Sequence, residues 1–371
     1  MARLGDIATY INGYAFKPED WSDSGIPIIR IQDLTGNAYQ ANRYNGQYDK
    51  KYEVIAGDVL ISWSASLGIY VWQGETAVLN QHIFKVVFNK VDIDKGFFIH
   101  QVESILEKAA SEAHGATMKH LTKPVFDALP FFLPEKQEQK RIAAQLNKID
   151  YLISLRKKQL QKLDDLVKAR FVEMFGDPVS NDRLWPTISL EDACDGIGDG
   201  LHGTPEYDDN GEYPFINGNN LIDGIIVITP TTRMVDEATY RKHYIRLSEN
   251  AILISINGTL GKMAFYKGEK VMLGKSACYC NLKPSINREF IYGVMRTNAF
   301  AEFLESNSTK STIKNVGLKA VRGFSLIIPP DELQLQFVAF VRQVDKSKLS
   351  IQQGLEKLET LKKSLMQQYF G

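Results

Sequence analysis

The chain has 371 residues, 44% of them apolar and 24% charged, and its 44 basic side chains are balanced by 44 acidic ones. These values exclude a disordered or fibrous chain and leave room for two domains with cores of their own. No apolar run reaches the roughly eighteen residues that span a bilayer, the opening Met1 to Asp6 does not read as a secretory signal, and three cysteines in a chain this long point to a reducing, cytoplasmic setting.

Residues 1–134 read as a first head. Short β-rich runs from Pro27 to Gln32, Val59 to Trp63, Ile69 to Trp72 and Ile83 to Phe88 are separated by Gly, Asn and Asp turns, and a helix fits Lys95 to Ala113. Residues 135–176 read as a long helix entered through Pro134, with Glu135 in its first turn. Proline and a carboxylate suit the free amides and positive dipole end of a helix start. Residues 177–330 repeat the plan of the first head. Tyr213 to Asn217, Ile225 to Thr229, Ala251 to Ile256, Met263 to Tyr266 and Ala277 to Leu282 are strand-like, and a helix fits Arg288 to Leu304. Cys278 and Cys280 read as two small residues on one strand face, since no second pair stands at ligand spacing. Residues 331–371 form a second long helix behind Pro329-Pro330, with Asp331 and Glu332 in its opening turn.

The two halves are copies. At an offset of 195 residues Pro134 answers to Pro329, Gln139 to Gln334, Asp150 to Asp345, Leu163 to Leu358, and Phe175-Gly176 to Phe370-Gly371. Upstream, Leu60-Ile61-Ser62 followed by Leu67-Gly68 recurs as Leu253-Ile254-Ser255 followed by Leu260-Gly261. Stepping by four and three from Ile142 passes through Leu146, Leu160 and Leu163; from Phe337 it passes through Val341, Leu355 and Leu358. Such stripes belong to a coiled coil. A helix of about forty residues is about 60 Å long at ~1.5 Å per residue, too long to bury its stripe on one head. The two are therefore expected to bury their stripes on each other, antiparallel. The expected fold is α+β: two similar α/β heads joined by two long antiparallel coiled-coil helices, in a pseudo-two-fold tandem repeat.

Charge is segregated beneath the neutral total. Residues 177–250 carry 14 Asp/Glu against 5 Lys/Arg, residues 251–330 carry 11 Lys/Arg against 4 Asp/Glu, and residues 117–176 carry 12 Lys/Arg against 7 Asp/Glu. A neutral protein can thus present basic faces to phosphates. Two heads held at a set distance match the half-site symmetry of duplex DNA, and divergent heads imply unlike half-sites.

At this point the chain resembles the specificity subunits of Type I restriction-modification systems. The likeness rests on the repeated head plus helix, Leu4-Gly5-Asp6-Ile7, the Gly57 to Ser62 run, and the proline–glutamine helix entries at Pro134 to Gln139 and Pro329 to Gln334. It covers essentially the whole chain. The second head departs from it, with Leu190-Glu191-Asp192-Ala193 in place of the first opening. The resemblance implies that each head is a target recognition domain reading one half of an asymmetric bipartite sequence in double-stranded DNA. It implies further that the helix pair sets the spacing and docks two methyltransferase subunits, with restriction/translocase subunits in the full complex. The chain itself is expected to be non-catalytic and to bind no cofactor, metal or membrane, while S-adenosylmethionine, ATP and Mg belong to partner subunits. The residues agree with this. The Gly268 to Ser276 run misses phosphate-loop spacing because Glu269 stands where a glycine is needed, and the Pro134 and Pro329-Pro330 entries lack the order of an amino-methyltransferase loop. A related methylation or defence complex outside Type I, or a coiled-coil scaffold without DNA, are the alternatives.

Base edges and phosphates are read by Arg, Lys, amides and hydroxyls, so polar loops at matching places in the heads are the candidates. In the first head these are Arg30, Gln32, Asp33, Ser64, Asn80, Gln81, His82, Thr117, Lys119 and His120; in the second, Asn217, Asn219, Asn257, Thr259, Lys275, Ser276, Thr312, Lys314 and Asn315. Thr117-x-Lys119-His120 and Thr312-x-Lys314-Asn315 align at the common offset. Along the helices Ile142, Leu146, Leu160, Leu163, Phe337, Val341, Leu355 and Leu358 are the expected partner-binding positions.

Overall fold

A computed structural model describes residues 2–36, 42–112 and 122–371 and divides into two compact units. The first comprises Met1–Lys158 with Gln352–Gly371, the second Gln159–Ile351. Both long helices, Lys136–Phe175 and Asp331–Phe370, are 40 residues long and pass from one unit into the other.

The first unit is built on an antiparallel sheet in the order Thr9–Asn12, Ile83–Val87, Val59–Ser62, Gly68–Val71. A second sheet runs Arg43–Tyr44, Ile26–Ile29, Ala77–Leu79, Glu53–Val54, with the middle pair parallel. In the second unit the order Cys194–Asp199, Ala277–Leu282, Ala251–Ser255, Met263–Phe265 repeats the first sheet. Met234–Val235, Tyr213–Ile216 and Met272–Leu273 repeat most of the other, again with a parallel pair. Val59–Ser62 and Ala251–Ser255 are buried along their whole length, which is why both read as unbroken apolar runs rather than alternating ones.

Three expected elements end early. The strand from Pro27 stops at Ile29, because the carboxylate of Asp33 accepts from the backbone N–H of Arg30 at 2.7 Å and opens a helix at Ile31–Thr35. That between Ile225 and Thr229 covers Ile225–Ile226 alone, and the Thr229 N–H turns back to the Thr232 hydroxyl at 2.9 Å. The helix expected from Arg288 to Leu304 is two helices, Arg288–Met295 and Asn298–Ser306. The break falls where Arg296 turns to the carboxylate of Asp164 at 2.5 Å and the Thr297 hydroxyl donates to the Val294 carbonyl at 2.7 Å. Its first-head counterpart, Lys95–Glu112, is continuous.

Burial of the helix stripes departs from expectation. Ile142, Ala143 and Leu146 join the first head's core with Phe97, Phe98 and Met366. Val167, Phe171, Phe175, Phe337 and Val344 join the second head's core with Phe290. Phe337 meets Phe171 and Phe175 edge-on at 5.4 and 5.6 Å. A head can take a helix end wherever its own sheet and helices leave an apolar socket, so only the remaining stretch depends on helix–helix contact. In the first unit the helices pair antiparallel through Asp150–Lys362 at 3.0 Å and Lys157–Glu359 at 3.3 Å. In the second, Lys348 reaches Asp164 at 2.9 Å. Lys348 and Lys362 are thus partly buried ion-pair partners.

Candidate nucleic-acid interface

In the second head four loops are tied into one edge. Strand Ala251–Ser255 runs out through Ile256, whose N–H donates to the Ser276 carbonyl at 3.1 Å and whose carbonyl accepts from Val316 at 2.9 Å. The Gly258 N–H donates to the Lys314 carbonyl at 2.9 Å, and Asn257 bridges to Asn315. From the other side the Gly218 N–H donates to the Ser276 hydroxyl at 2.9 Å. A Cβ at Gly218 would lie 2.1 Å from the Ser255 hydroxyl, so the approach requires glycine.

All nine second-head candidates lie on these loops. Asn219, Thr259, Lys275, Thr312 and Lys314 are exposed, and Asn217, Asn257, Ser276 and Asn315 are half-buried. Part of this set supports the loops: the Asn217 side chain accepts from Asn219 N–H at 2.9 Å, and Ser276 holds Gly218. Lys314 pairs with Glu305 at 2.5 Å, but the side chains are 47% and 59% exposed. Such a pair contributes little in water, so its ammonium can exchange a carboxylate for a phosphate.

The first head brings Asn80, Gln81 and His82 together at the matching edge. The Asn80 N–H donates to the Ile29 carbonyl at 3.0 Å and the Gln81 N–H to the Tyr14 carbonyl at 2.8 Å. His82 has a left-handed backbone, φ 73°, and its ring meets Trp63 edge-on at 4.9 Å. Three residues expected to read DNA, Ser64, Arg30 and Asp33, are corrected here. Ser64 is buried. Arg30 and Asp33 face each other at 3.6 Å with both side chains largely covered, so Asp33 acts as a helix cap rather than a reader of bases. Gln32 is half-buried on the same short helix. Thr117, Lys119 and His120 lie outside the described residues.

Four of the helix positions are corrected too: Ile142, Leu146, Phe337 and Leu355 are buried and build the molecule's own interior, while Leu160, Leu163, Val341 and Leu358 are half-buried. The exposed apolar side chains of the long helices are others, among them Tyr151, Leu166, Val172, Leu335, Leu349 and Leu361.

One feature was not singled out from sequence. Tyr207, Asn217, Asn219, Thr229, Thr231 and Arg233 border a cleft of about 270 Å³ beside the tied loops. The hydroxyl-rich run Thr229 to Thr232 leading into Arg233 was its only sequence signal.

The three cysteines meet inside the second head. Hydrogen bonds from Cys194 and Cys278, together with burial, push the Cys280 thiol well above its ordinary value and keep it protonated.

Two heads of one topology, each gathering polar loops at the same edge, match a known domain twice: residues 1–165 and 183–362 both fit the Type I restriction modification DNA specificity domain. The chain belongs to that family. Type I specificity relatives align along its whole length. The EcoBI specificity subunit of Escherichia coli is 22% identical over 403 residues, spanning 99% of this chain and 84% of the relative. The StySPI specificity subunit of Salmonella potsdam is 19% identical over 421 residues, spanning 100% and 88%. A chain from a solved structure describing complex assembly and conformational transition of the type I R-M system superposes with a TM-score of 0.50 at 16% identity, covering 100% of this chain and 96% of the other. At that identity the likeness speaks for the fold. As a Type I specificity chain the molecule carries both copies of its DNA specificity domain, and the loop edge tied through Ser276 and Asn257 lies within the second copy.

Proposed function

We propose that each head reads one half of an asymmetric, two-part duplex target, and that the helices set the spacing between the halves and dock two methyltransferase subunits. Restriction/translocase subunits complete the assembly. This chain is non-catalytic, acts in the cytoplasm, and leaves S-adenosylmethionine, ATP and Mg to its partners. The observation that carries the reading is the conserved topology of the heads combined with divergence at their loop edges. Asn80-Gln81-His82 occupies the place of Gly274-Lys275-Ser276, so the two heads offer different hydrogen-bonding groups from one scaffold. Phosphate contacts from the basic second half of head two supply affinity, and the loop side chains supply sequence. The exposed apolar side chains on the outer faces of the helices are the docking candidates.

The test maps methylated adenines genome-wide in cells that carry the partner methyltransferase, with this gene intact or deleted. Deletion is expected to remove one bipartite motif, and exchanging one head should change one half of it. An unchanged methylome in both comparisons would refute the reading.

A further inference from the structure

In the second head the guanidinium of Arg233 lies 5.5 Å from the ring centre of Tyr207. Tyr207 is 38% exposed and rests against Phe215 at 5.9 Å. Arg233 is exposed, yet its stem is fixed: its carbonyl accepts from the Phe215 N–H at 2.8 Å, and the next two residues pair with Tyr213 and Pro214. The cleft beside it is walled by Asn217, Asn219, Thr229 and Thr231. Since Gly218 is bonded to Ser276, this cleft adjoins the tied loop edge.

Charge distinguishes two uses of arginine here. Residues 177–250, which include Arg233, carry 14 acidic against 5 basic side chains, whereas residues 251–330 carry 11 basic against 4 acidic. Phosphate attraction therefore belongs to the second stretch. A guanidinium held on an aromatic face within a predominantly acidic stretch is suited to directional bonding with a base edge. Its planar fork of donors matches O6 and N7 of guanine in the major groove. Stacking also restricts the side chain before binding, which lowers the ordering cost of the contact.

The same pairing occurs in the first head, where Arg30 lies over Trp21 at 5.8 Å and Trp21 is 46% exposed. Trp21 shortly precedes strand Ile26–Ile29, as Tyr207 shortly precedes Tyr213–Ile216. The arginines come from different places: Arg30 directly follows its strand, while Arg233 directly precedes Met234–Val235. In the first head the arginine side chain is largely covered and faces Asp33 at 3.6 Å, whereas Arg233 is exposed, so of these two guanidinium–ring pairs it is the second head's that is open to a base.

We propose that Arg233, stacked on Tyr207, is a specificity-determining residue that reads a guanine through the major groove in the second head's half of the target. This rests on the DNA-reading function proposed above.

The test repeats the methylation mapping with the full chain and its partner methyltransferase, comparing Arg233 with Arg233→Ala and Arg233→Gln. At one guanine of one half-site the preference is expected to fall about tenfold or more. Arg233→Gln should shift that position towards adenine, and the other half should be unchanged. Tyr207→Phe keeps the ring and should keep the motif, while Tyr207→Leu should weaken the same guanine. If Arg233→Ala accumulates poorly, Arg233→Gln and the Tyr207 pair carry the test. A motif identical in all variants overturns the inference and leaves the DNA-reading function standing. So does a uniform loss at every position with normal protein level, or a second half-site without guanine. A wild-type chain that directs no motif overturns both.

Discussion

Gln139 and Gln334 make the same hydrogen bond in the two repeats. Each side-chain amide donates at 2.8 Å to the carbonyl of the proline five residues earlier, Pro134 or Pro329. Both glutamines are buried, at 2% and 5% exposure, so the bond fixes where each long helix leaves its head. Gln334→Leu should strand the buried Pro329 carbonyl and lower stability by about 1–3 kcal/mol. Calorimetry of the full chain should show a downward shift in the transition; an unaltered transition would assign the conserved pair another role.

Gly13 and Gly200 occupy matching crossings. A Cβ would fall 2.1 Å from the Asn80 carbonyl oxygen at Gly13 and 2.0 Å from that of Leu273 at Gly200. The obstacle is backbone, which cannot swing aside. Gly200→Ala should therefore cost about 1–3 kcal/mol through overpacking. Gly196→Ala, on the strand Cys194–Asp199 that Gly200 directly follows and with open space around it, is the control. Equal unfolding midpoints for the two variants would contradict the account.

Asp345 offers a stabilising change. Burial raises its carboxyl pKa, and Asp164 and Glu289 add to this against the opposing effects of Arg296 and Lys348. A raised carboxylate pKa means the folded state holds the proton more tightly than the unfolded chain. It therefore penalises folding at neutral pH, and the penalty fades as pH falls through the folded pKa. Asp345→Asn should raise the unfolding midpoint at pH 7 to 8, with the gain vanishing in acid. A gain independent of pH would point to a cause other than charge.

Lys275 is exposed on the tied loop edge while its backbone N–H donates to the Leu201 carbonyl at 3.0 Å. Lys275→Ala leaves that backbone bond intact and removes one cation. If the ammonium meets a phosphate, DNA affinity should weaken evenly across sequences and the salt slope should fall by about one. A change confined to one base position would instead make Lys275 a base reader.

The duplication, the helix entries and the buried strands were legible because each depends on local chemistry. Proline with a carboxylate marks a helix start, and an unbroken run such as Leu253-Ile254-Ser255 marks a strand covered on both faces. Candidate loops of the second head were legible for the same reason, since matched polar turns in two copies of one fold fall at one edge. What the chain's order of residues could not reveal was which partner each side chain would meet. Arg296 breaks the helix expected from Arg288 to Leu304 because Asp164, 132 positions away, lies within its reach. Arg30 is drawn to Asp33 and Trp21, and Ser64 is enclosed, so both leave the candidate surface. Arg233 and Tyr207 meet only because strand pairing carries Met234–Val235 alongside Tyr213–Ile216. The repeat and its elements follow from local propensity and periodicity, whereas the set of side chains that shares an edge is decided by long-range packing, which brings residues distant in sequence into hydrogen-bonding or ring contact.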